Sequence, residues 1–413
     1  MDCMKRYQVI LKFAQYISGK IEEKGILYVS RNALYEIMGL LIIILLYPFV
    51  RLMNVKFLGL YIHAVGHLCT EPDLYIKEGI LGLRPEYNTV IVASKRKVAN
   101  AHILNYWKQY IKVISSPLLC FFLEPLTRNR FTNYPLFHLA FSENASYYPE
   151  IQKRYFGQPA LLNLSESDFE RGWTCLRDIG VPEGAWFICV HSREDGYLGP
   201  MGYTCHNADI NNYYLAMEAI VGRGGWVIRM GDQTMKPLQK ADQIVDYALL
   251  DIKSDWMDVF LCASCRFFLG SASGLCQLPT VFGVSDAIAN LAPHLSGVLQ
   301  TGPEDIGIPK LLWSDKEERY LSFKEILGSP ISKYWFDSMF YEAGLRPVEN
   351  TSEEIRDLVL EMLDRKEGRL SYTIEDELRQ KRFKSLMNPT HFSYGAMSRV
   401  GRDFLRKYEH LLS

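Results

Sequence analysis

The chain has 413 residues, 48% of them hydrophobic and 23% charged, with a formal net charge of -1. That balance excludes a mostly disordered chain and lacks the cationic excess with which a nucleic-acid binder neutralises phosphates. The length exceeds what one core usually serves, so two domains are expected. Nine cysteines, an odd number with Cys189 and Cys262 inside apolar runs, suit a reducing compartment rather than a disulfide framework.

From the amino end, the first notable segment is IMGLLIIILLYPFV, Ile37 to Val50, uncharged and set between Glu36 and Arg51. Lys5, Arg6, Lys12, Lys20, Lys24 and Arg31 give the stretch before it a basic lean. The segment is shorter than the roughly 20 residues a bilayer crossing needs, carries Pro48 near its end, and starts too late for a secretory signal. It reads first as a short membrane-associated helix dipping into one leaflet, with a buried core helix and a true span as the alternatives.

VKFLGLYI (Val55 to Ile62) and TVIVAS (Thr89 to Ser94) read as buried strands, and NAHILNYWKQYI as an amphipathic helix capped by Asn100. Pro117 to about Ser165 is aromatic-rich and yields no assignment. Beyond it, AWFICV, WVIRMGD, IVDYAL and RFFLG read as four strands separated by helical stretches, which predicts a parallel α/β sheet. Tyr213, Met217, Ile220 and Val221 share one helical face, and Asp255 is the expected N-cap of the SDWMDVFLCASC helix, with Asp258 in its first turn. Two charged amphipathic helices, SEEIRDLVLEMLDRKEG and RDFLRKYEHLL, close the chain.

In a parallel sheet the ligand crevice lies beyond the carboxyl ends of the strands. The four exits in the second half present His191, Arg193, Glu194 and Asp195; then Arg229, Gly231 and Asp232; then Asp246 and Tyr247; then Gly270, Ser271, Ser273 and Gly274. Arg193 and Arg229 offer planar donor forks to a diphosphate, and a Gly/Ser turn opening a helix offers backbone N–H groups. Asp232 suits sugar or ribose hydroxyls, while His191 suits orienting a leaving group or moving a proton, its ordinary pKa lying near neutral. Each has a plain structural reading as well: a simple turn, a surface arginine, a satisfied histidine. In the first half, Gly66 permits close approach to the backbone, and His67 or Glu71 fits a general base toward an acceptor hydroxyl, the alternative being a tight turn with a capping histidine. CASC has zinc-like spacing but no second ligand pair, so no metal site is expected.

The ordered set FICVHSRED, HNADINNY, GWVIRMGD, KSDWMDVFLCASCRFFLGSASGL and VFGV, preceded by VGHL and EPDLYI, resembles a group of bacterial glycosyltransferases of surface-polysaccharide biosynthesis. The H-x-R motif followed by a Ser/Gly loop is more distantly similar to fucosyltransferases that use GDP-fucose, whose diphosphate-binding arginine falls on Arg193; the second arginine of their H-x-R-R pattern is Glu194 here. The resemblance implies two Rossmann-like domains of the GT-B type. Residues 1–54 would be an amino-terminal membrane-associated segment, 55–166 the acceptor domain, 167–345 the nucleotide-sugar donor domain, and 346–413 carboxy-terminal crossover helices. It further implies no cofactor and no divalent metal, a nucleotide-sugar donor, a glycan or lipid-linked acceptor, and a peripheral or monotopic place on the cytoplasmic face of the bacterial inner membrane. Competing readings are a nucleotide-sugar hydrolase or epimerase and a non-catalytic carbohydrate-binding protein at the membrane. An NAD-dependent epimerase would carry G-x-G-x-x-G after its first strand, and neither FLGLYIHAVGHL nor FICVHSREDG supplies it.

Overall fold

The computed structural model describes residues 25–94, 98–134, 147–194, 196, 204–292 and 302–413. Lys5, Arg6, Lys12, Lys20 and Lys24 of the basic stretch, and Asp195 of the first strand exit, lie outside the described residues. The chain opens with α1 (Ile26–Leu52), β1 (Val55–Leu58), α2 (Val65–Ile80), β2 (Asn88–Val92), α3 (Ala101–Trp107), β3 (Lys112–Ile114), α4 (Pro117–Arg128) and β4 (Asn133–Tyr134). The middle holds α5 (Tyr147–Tyr155), α6 (Glu166–Asp178), β5 (Phe187–His191), α7 (Tyr214–Gly222), β6 (Trp226–Arg229), β7 (Ile244–Val245), α8 (Asp255–Ser264), β8 (Phe268–Gly270) and α9 (Gln277–Thr280). Then come β9 (Asp286–Leu291), β10 (Ile306–Pro309), β11 (Leu311–Ser314), β12 (Arg319–Tyr320), α10 (Phe323–Leu327), α11 (Asp337–Glu342), β13 (Leu345–Val348), α12 (Ser352–Lys366), α13 (Ile374–Ser385), β14 (Arg399–Val400) and α14 (Arg402–Lys407).

By packing, the chain divides into two compact units: Met1–Gly59, Glu86–Lys97 and Ile111–Leu136 form the smaller, and Leu60–Pro85, Val98–Tyr110 and Phe137–Ser413 the larger. Thus α2 and α3, which link strands of the small sheet in sequence, belong by packing to the larger unit.

The smaller unit is a parallel sheet in the order β3-β2-β1-β4, with Val55 opposite Asn88 and Val90 opposite Lys112. Phe57, Val90 and Leu126 form its buried core, and Ile43, Leu46 and Val50 of α1 pack against them. The apolar segment expected over 37–50 is the carboxy-terminal half of a helix of 27 residues. At about 1.5 Å per residue it is roughly 40 Å long. By length and composition it is long and apolar enough to cross a membrane. The sequence understated it because the stretch from Ile26 to Glu36 mixes polar with apolar residues yet continues the same helix.

The larger unit is built on a fully parallel seven-stranded sheet, β14-β10-β9-β8-β5-β6-β7. Its central strands are apolar on both faces, as strands covered on both sides must be; Ile188, Val190, Val227, Leu269 and Ala287 are all buried. The predicted helical face is where it was expected, with Tyr213, Met217 and Ile220 buried and Val221 packed against them. The carboxy-terminal helices sink Ile355, Val359, Met362, Phe383 and Phe404 into the same core. Asn100 caps α3, its Oδ1 accepting from the N–H groups of His102 and Ile103 at 3.0 Å. Two local expectations are corrected. Ser254, not Asp255, is the N-cap residue of α8, because Asp255 turns its carboxylate to the Ala101 N–H at 2.7 Å. IVDYAL is a strand only over Ile244–Val245 and continues as a 3-10 turn over Tyr247–Leu249. A small antiparallel sheet, β12-β11-β13, was not foreseen.

Chain order reverses direction at β5. From β5 the sheet runs to β6 and β7 on one side, and to β8, β9 and β10 on the other. The gap beyond the carboxyl ends of β5 and β8 is therefore a topological switch point, where open α/β sheets place their ligands.

Candidate functional site at the switch point

Register brings the two key exits level. His191, the last residue of β5, pairs with Gly270, the last of β8. The loops beyond are then tied together: the Ser271 N–H donates to the His191 carbonyl at 3.0 Å, and the Arg193 N–H donates to Ser271 Oγ at 2.9 Å. Ser271 is fully buried, and its hydroxyl shapes the Arg193 turn instead of facing a ligand.

Beyond this junction lies a cleft of about 290 Å³. His191, Arg193 and Glu194 line it from β5, Gly231, Asp232 and Met235 from β6, and Ser273, Gly274 and Leu275 from β8. Ala64 and Val65 at the start of α2, Ala99 and Asn100 before α3, and Lys253 and Asp258 around the start of α8 complete the wall. All of these belong to the larger unit.

Of the residues singled out in the sequence, His191, Arg193, Gly231, Asp232, Ser273 and Gly274 line this cleft, whereas Arg229, Gly270, Ser271, His67 and Glu71 do not. Gly231 has φ +151, and a Cβ there would lie 2.1 Å from Met235 Sδ, so only glycine leaves the β6 exit in this form. Asp232 accepts from the Thr234 N–H at 2.8 Å and keeps its carboxylate at the cleft wall. Ser273 Oγ is buried with no hydrogen-bond partner.

Arg229 was expected at the diphosphate. It is instead 0% exposed, donating to Asp246 Oδ1 at 2.8 Å, Glu194 Oε1 at 3.2 Å and the Lys236 carbonyl at 3.0 Å. Two carboxylates flank the end of β6 and take both terminal nitrogens of the guanidinium, whose buried Nε has no partner, and the residue does not line the cleft. Its effect on the cleft is indirect, since it fixes Glu194, which does line it.

His191 also departs from its expected chemistry. It is 7% exposed, and burial pushes its pKa down to about 4. Nδ1 donates to the Met230 carbonyl at 3.2 Å. A carbonyl only accepts, so the proton sits on Nδ1 and Nε2 keeps its lone pair. The ring is a neutral hydrogen-bond acceptor near neutral pH, not a group poised to trade protons there. His206, within the HNADINNY stretch, is buried nearby with its pKa pushed down to about 3 by burial, and it hydrogen-bonds the backbone of Ala272 in the Ser/Gly loop.

On α2, the His67 ring and Glu71 are paired one turn apart, with Nδ1 2.8 Å from Oε1. The carboxylate accepts, so His67 carries its proton on Nδ1, and Nε2 is the basic nitrogen. Glu71 is 1% exposed while His67 reaches the surface, which is how a buried carboxylate orients a more exposed imidazole.

Lys253 and Asp258 were not picked out as site residues, although both lie within the KSDWMD stretch. Lys253 Nζ is 3.0 Å from Asp258 Oδ2, and the Tyr247 hydroxyl donates to Asp258 Oδ1 at 2.8 Å. Burial raises the Asp258 pKa. The signal available beforehand was positional: Lys253 directly precedes the N-cap, and Asp258 lies in the first turn, of the helix that delivers β8.

Two helical starts point at the cleft. Among the described residues, neither Ala64, which precedes α2, nor Ser273, which precedes the 3-10 turn Gly274–Cys276, makes a side-chain cap to the opening N–H groups. Such ends favour anions. Among the described residues no cluster of three or more His, Cys, Asp or Glu is arranged to hold a metal ion. Cys262 and Cys265 are buried, and burial raises the Cys262 pKa.

No protein-family model matches this sequence, and no curated protein matches it. Among solved structures the chain is similar to ADP-heptose LPS heptosyltransferase II of E. coli, with a TM-score of 0.38 and 12% identity over 57% of this chain and 84% of that one. It is similar also to a glycosyl transferase family 9 protein of Veillonella parvula, with a TM-score of 0.35 and 11% identity over 57% of this chain and 80% of that one. The spinosyn forosaminyltransferase SpnP covers more of it: TM-score 0.31 and 10% identity over 87% of this chain and 99% of SpnP. All three are glycosyltransferases.

Proposed function

We propose that the protein is a glycosyltransferase of the GT-B kind, moving a sugar from a nucleotide-sugar donor to a glycan or lipid-linked acceptor in surface-polysaccharide biosynthesis. The observation that carries this reading is the switch-point cleft, which Arg193, the Ser273–Gly274 turn and the start of α2 line together. A guanidinium with uncapped backbone N–H groups is the donor set a diphosphate needs. In this reading Arg193 and the N–H groups about Gly274 stabilise the departing nucleotide diphosphate. Asp232 and the His191 Nε2 accept hydrogen bonds from donor hydroxyls, and His67, oriented by Glu71, takes the proton of the attacking acceptor hydroxyl. Residues 55–166 would supply the acceptor side and 167–345 the donor side, with the helices after 346 as the crossover. The fixed positive groups would do the work of a divalent metal, so activity should survive EDTA.

The experiment is a melting screen of the purified protein with GDP-, UDP-, ADP- and CMP-sugars. One donor class should raise the melting temperature, and Arg193→Ala should remove the shift. No shift with any nucleotide sugar would put the carbohydrate-binding reading ahead, and turnover of the donor without acceptor would favour hydrolysis.

We infer further that α1 lies on a membrane surface and does not cross it. Ile37, Leu40, Leu41, Ile44, Leu45 and Phe49 are exposed on α1, and Leu118, Leu119, Phe121 and Phe122 are exposed on α4 beside it. The two helices are held together by the Tyr35 hydroxyl donating to Glu124 Oε2 at 2.8 Å and by the Tyr35–Phe121 ring contact. Because Ile43, Leu46 and Val50 also pack on the sheet core, threading this stretch through a bilayer would drag an open-edged sheet into hydrocarbon, which its backbone forbids. Arg31, Arg51 and Arg128 are exposed on these helices and suit anionic headgroups. The cytoplasmic face of the bacterial inner membrane fits this arrangement. Co-sedimentation with phosphatidylglycerol vesicles tests it: Phe121→Asp with Phe122→Asp should release the protein, and retention at high pH in carbonate would mark a true span instead.

A further inference from the structure

The larger unit holds a second cleft, of about 260 Å³, walled in part by the later turns of α2. Asp73 and Lys77, one turn apart on α2, and Gln152 of α5 form a closed polar triangle. Lys77 Nζ lies 2.8 Å from Asp73 Oδ2 and donates to Gln152 Oε1 at 2.7 Å, and Gln152 Nε2 donates to Asp73 Oδ2 at 2.8 Å. Asp73 is 2% exposed, yet its other oxygen, Oδ1, is buried in this wall with no hydrogen-bond partner. A buried carboxylate oxygen without a donor is costly, and a ligand hydroxyl at that point would relieve it.

The other lining groups narrow the ligand. Glu304 and Asp305 line the cleft together with Asp73, and Lys77 is the cation among the lining residues. Arg365, 3.9 Å from Glu304, and Lys366, which donates to Ser285 Oγ at 2.7 Å, pair with lining groups without lining the cleft themselves, so carboxylates outnumber cations at its surface, which disfavours a phosphate. Asp305 is already held by the N–H groups of Asp286 and Gly302, each at 2.9 Å. Phe156 lines the cleft while 61% exposed, offering a flat apolar surface beside the polar groups of the wall. Acceptors grouped beside an open aromatic face suit a molecule with many hydroxyl donors and one apolar side.

We propose that this cleft binds one sugar residue, neutral or amino-substituted, of the acceptor glycan, with its hydroxyls donating to Asp73 Oδ1 and its apolar face against Phe156. Sugar binding is independent of the glycosyl-transfer reading, but the role as an acceptor subsite rests on it. Asp73 lies six residues beyond His67, about 9 Å along the helix and about a third of a turn round it. The bound residue is therefore not the one that reacts but one further along the acceptor.

Saturation-transfer NMR on the full chain tests this, using galactose, mannose, rhamnose, N-acetylglucosamine and glucosamine in separate samples. At least one should show transfer, and Phe156→Ala should weaken its binding about tenfold at an unchanged melting temperature. Asp73→Asn should weaken it too; if that variant fails to fold, Phe156→Ala decides. Absence of transfer from every sugar overturns the proposal, as does an affinity that Phe156→Ala leaves unchanged or a sugar displaced by inorganic phosphate. The nucleotide-sugar melting shift, measured beside it, separates the two readings. A donor shift without sugar binding sinks this site alone, and sugar binding without any donor shift sinks glycosyl transfer alone.

Discussion

The backbones of Gly66 and Gly274 lie against each other, so closely that a Cβ on Gly66 would stand 2.8 Å from the Gly274 Cα. This contact brings the start of α2 to the Ser/Gly turn after β8, so that two sets of uncapped N–H groups share one cleft wall. Gly66→Ala should therefore destabilise the protein by about 1–3 kcal/mol, the range for forcing atoms into a packed site, and should weaken nucleotide-sugar binding. Gly274→Ala, whose new Cβ would meet the Gly66 nitrogen at 3.1 Å, should do the same more mildly. Gly222→Ala is the control: nothing lies within 4 Å of its Cβ position at the end of α7, so it should be neutral or slightly stabilising. Denaturant melts with and without donor measure all three.

The two arginines should separate cleanly. Arg193→Ala is expected to leave the fold intact and abolish the donor-induced melting shift. Arg229→Ala should unfold the protein more readily, by about 3–5 kcal/mol, because Glu194 and Asp246 are left without their shared cation at side-chain exposures of 13% and 20%. Arg229→Lys should rescue little, since one ammonium cannot reach both carboxylates and the Lys236 carbonyl as the guanidinium does. Equal loss of donor binding at unchanged stability in both variants would return Arg229 to the diphosphate.

That difference marks what the sequence could and could not convey. β5, β6 and β8 were legible because strands buried on both faces leave unbroken apolar runs, and the loops after them necessarily gather at one edge of the sheet. The fate of Arg229 was not, because its partners lie 17 residues ahead and 35 behind, at neighbouring strand ends. The tautomer of His191 likewise depends on the Met230 carbonyl, which only strand pairing brings within reach. Helix α4 escaped for another reason: Pro125 lies inside it and reads as a break, and Leu118, Leu119, Phe121 and Phe122 face outward.

Acid should destabilise the fold over a defined window. The buried His191 and His206 have pKa values pushed down to about 4 and about 3, against an ordinary 6.5 in the unfolded chain. Between those values the unfolded state binds more protons at these two rings than the folded one, so their contribution is full above about pH 6.5 and falls as pH drops toward 4, offset in part by Asp305, whose pKa burial raises to about 6. A shift the size of that at His191 corresponds to about 3 kcal/mol. Urea midpoints taken from pH 7.5 to pH 4 should decline accordingly, and His191→Gln should flatten the decline. A midpoint that stays level across this window would mean the rings are hydrated in solution.

The pairing of His67 with Glu71 gives the most direct test of chemistry as opposed to binding. If Glu71 holds the His67 ring so that Nε2 meets the acceptor hydroxyl, Glu71→Gln removes the charge that stabilises the imidazolium but preserves the shape. The turnover number should then fall about 10²-fold or more, the usual worth of a positioned base, while the KM for the donor stays put, because neither residue lines the donor cleft. His67→Ala should cost at least as much. A rise in acceptor KM at constant turnover number would make the pair a contact for the acceptor and move the base elsewhere, with Asp232, the carboxylate already at the cleft wall, next in line.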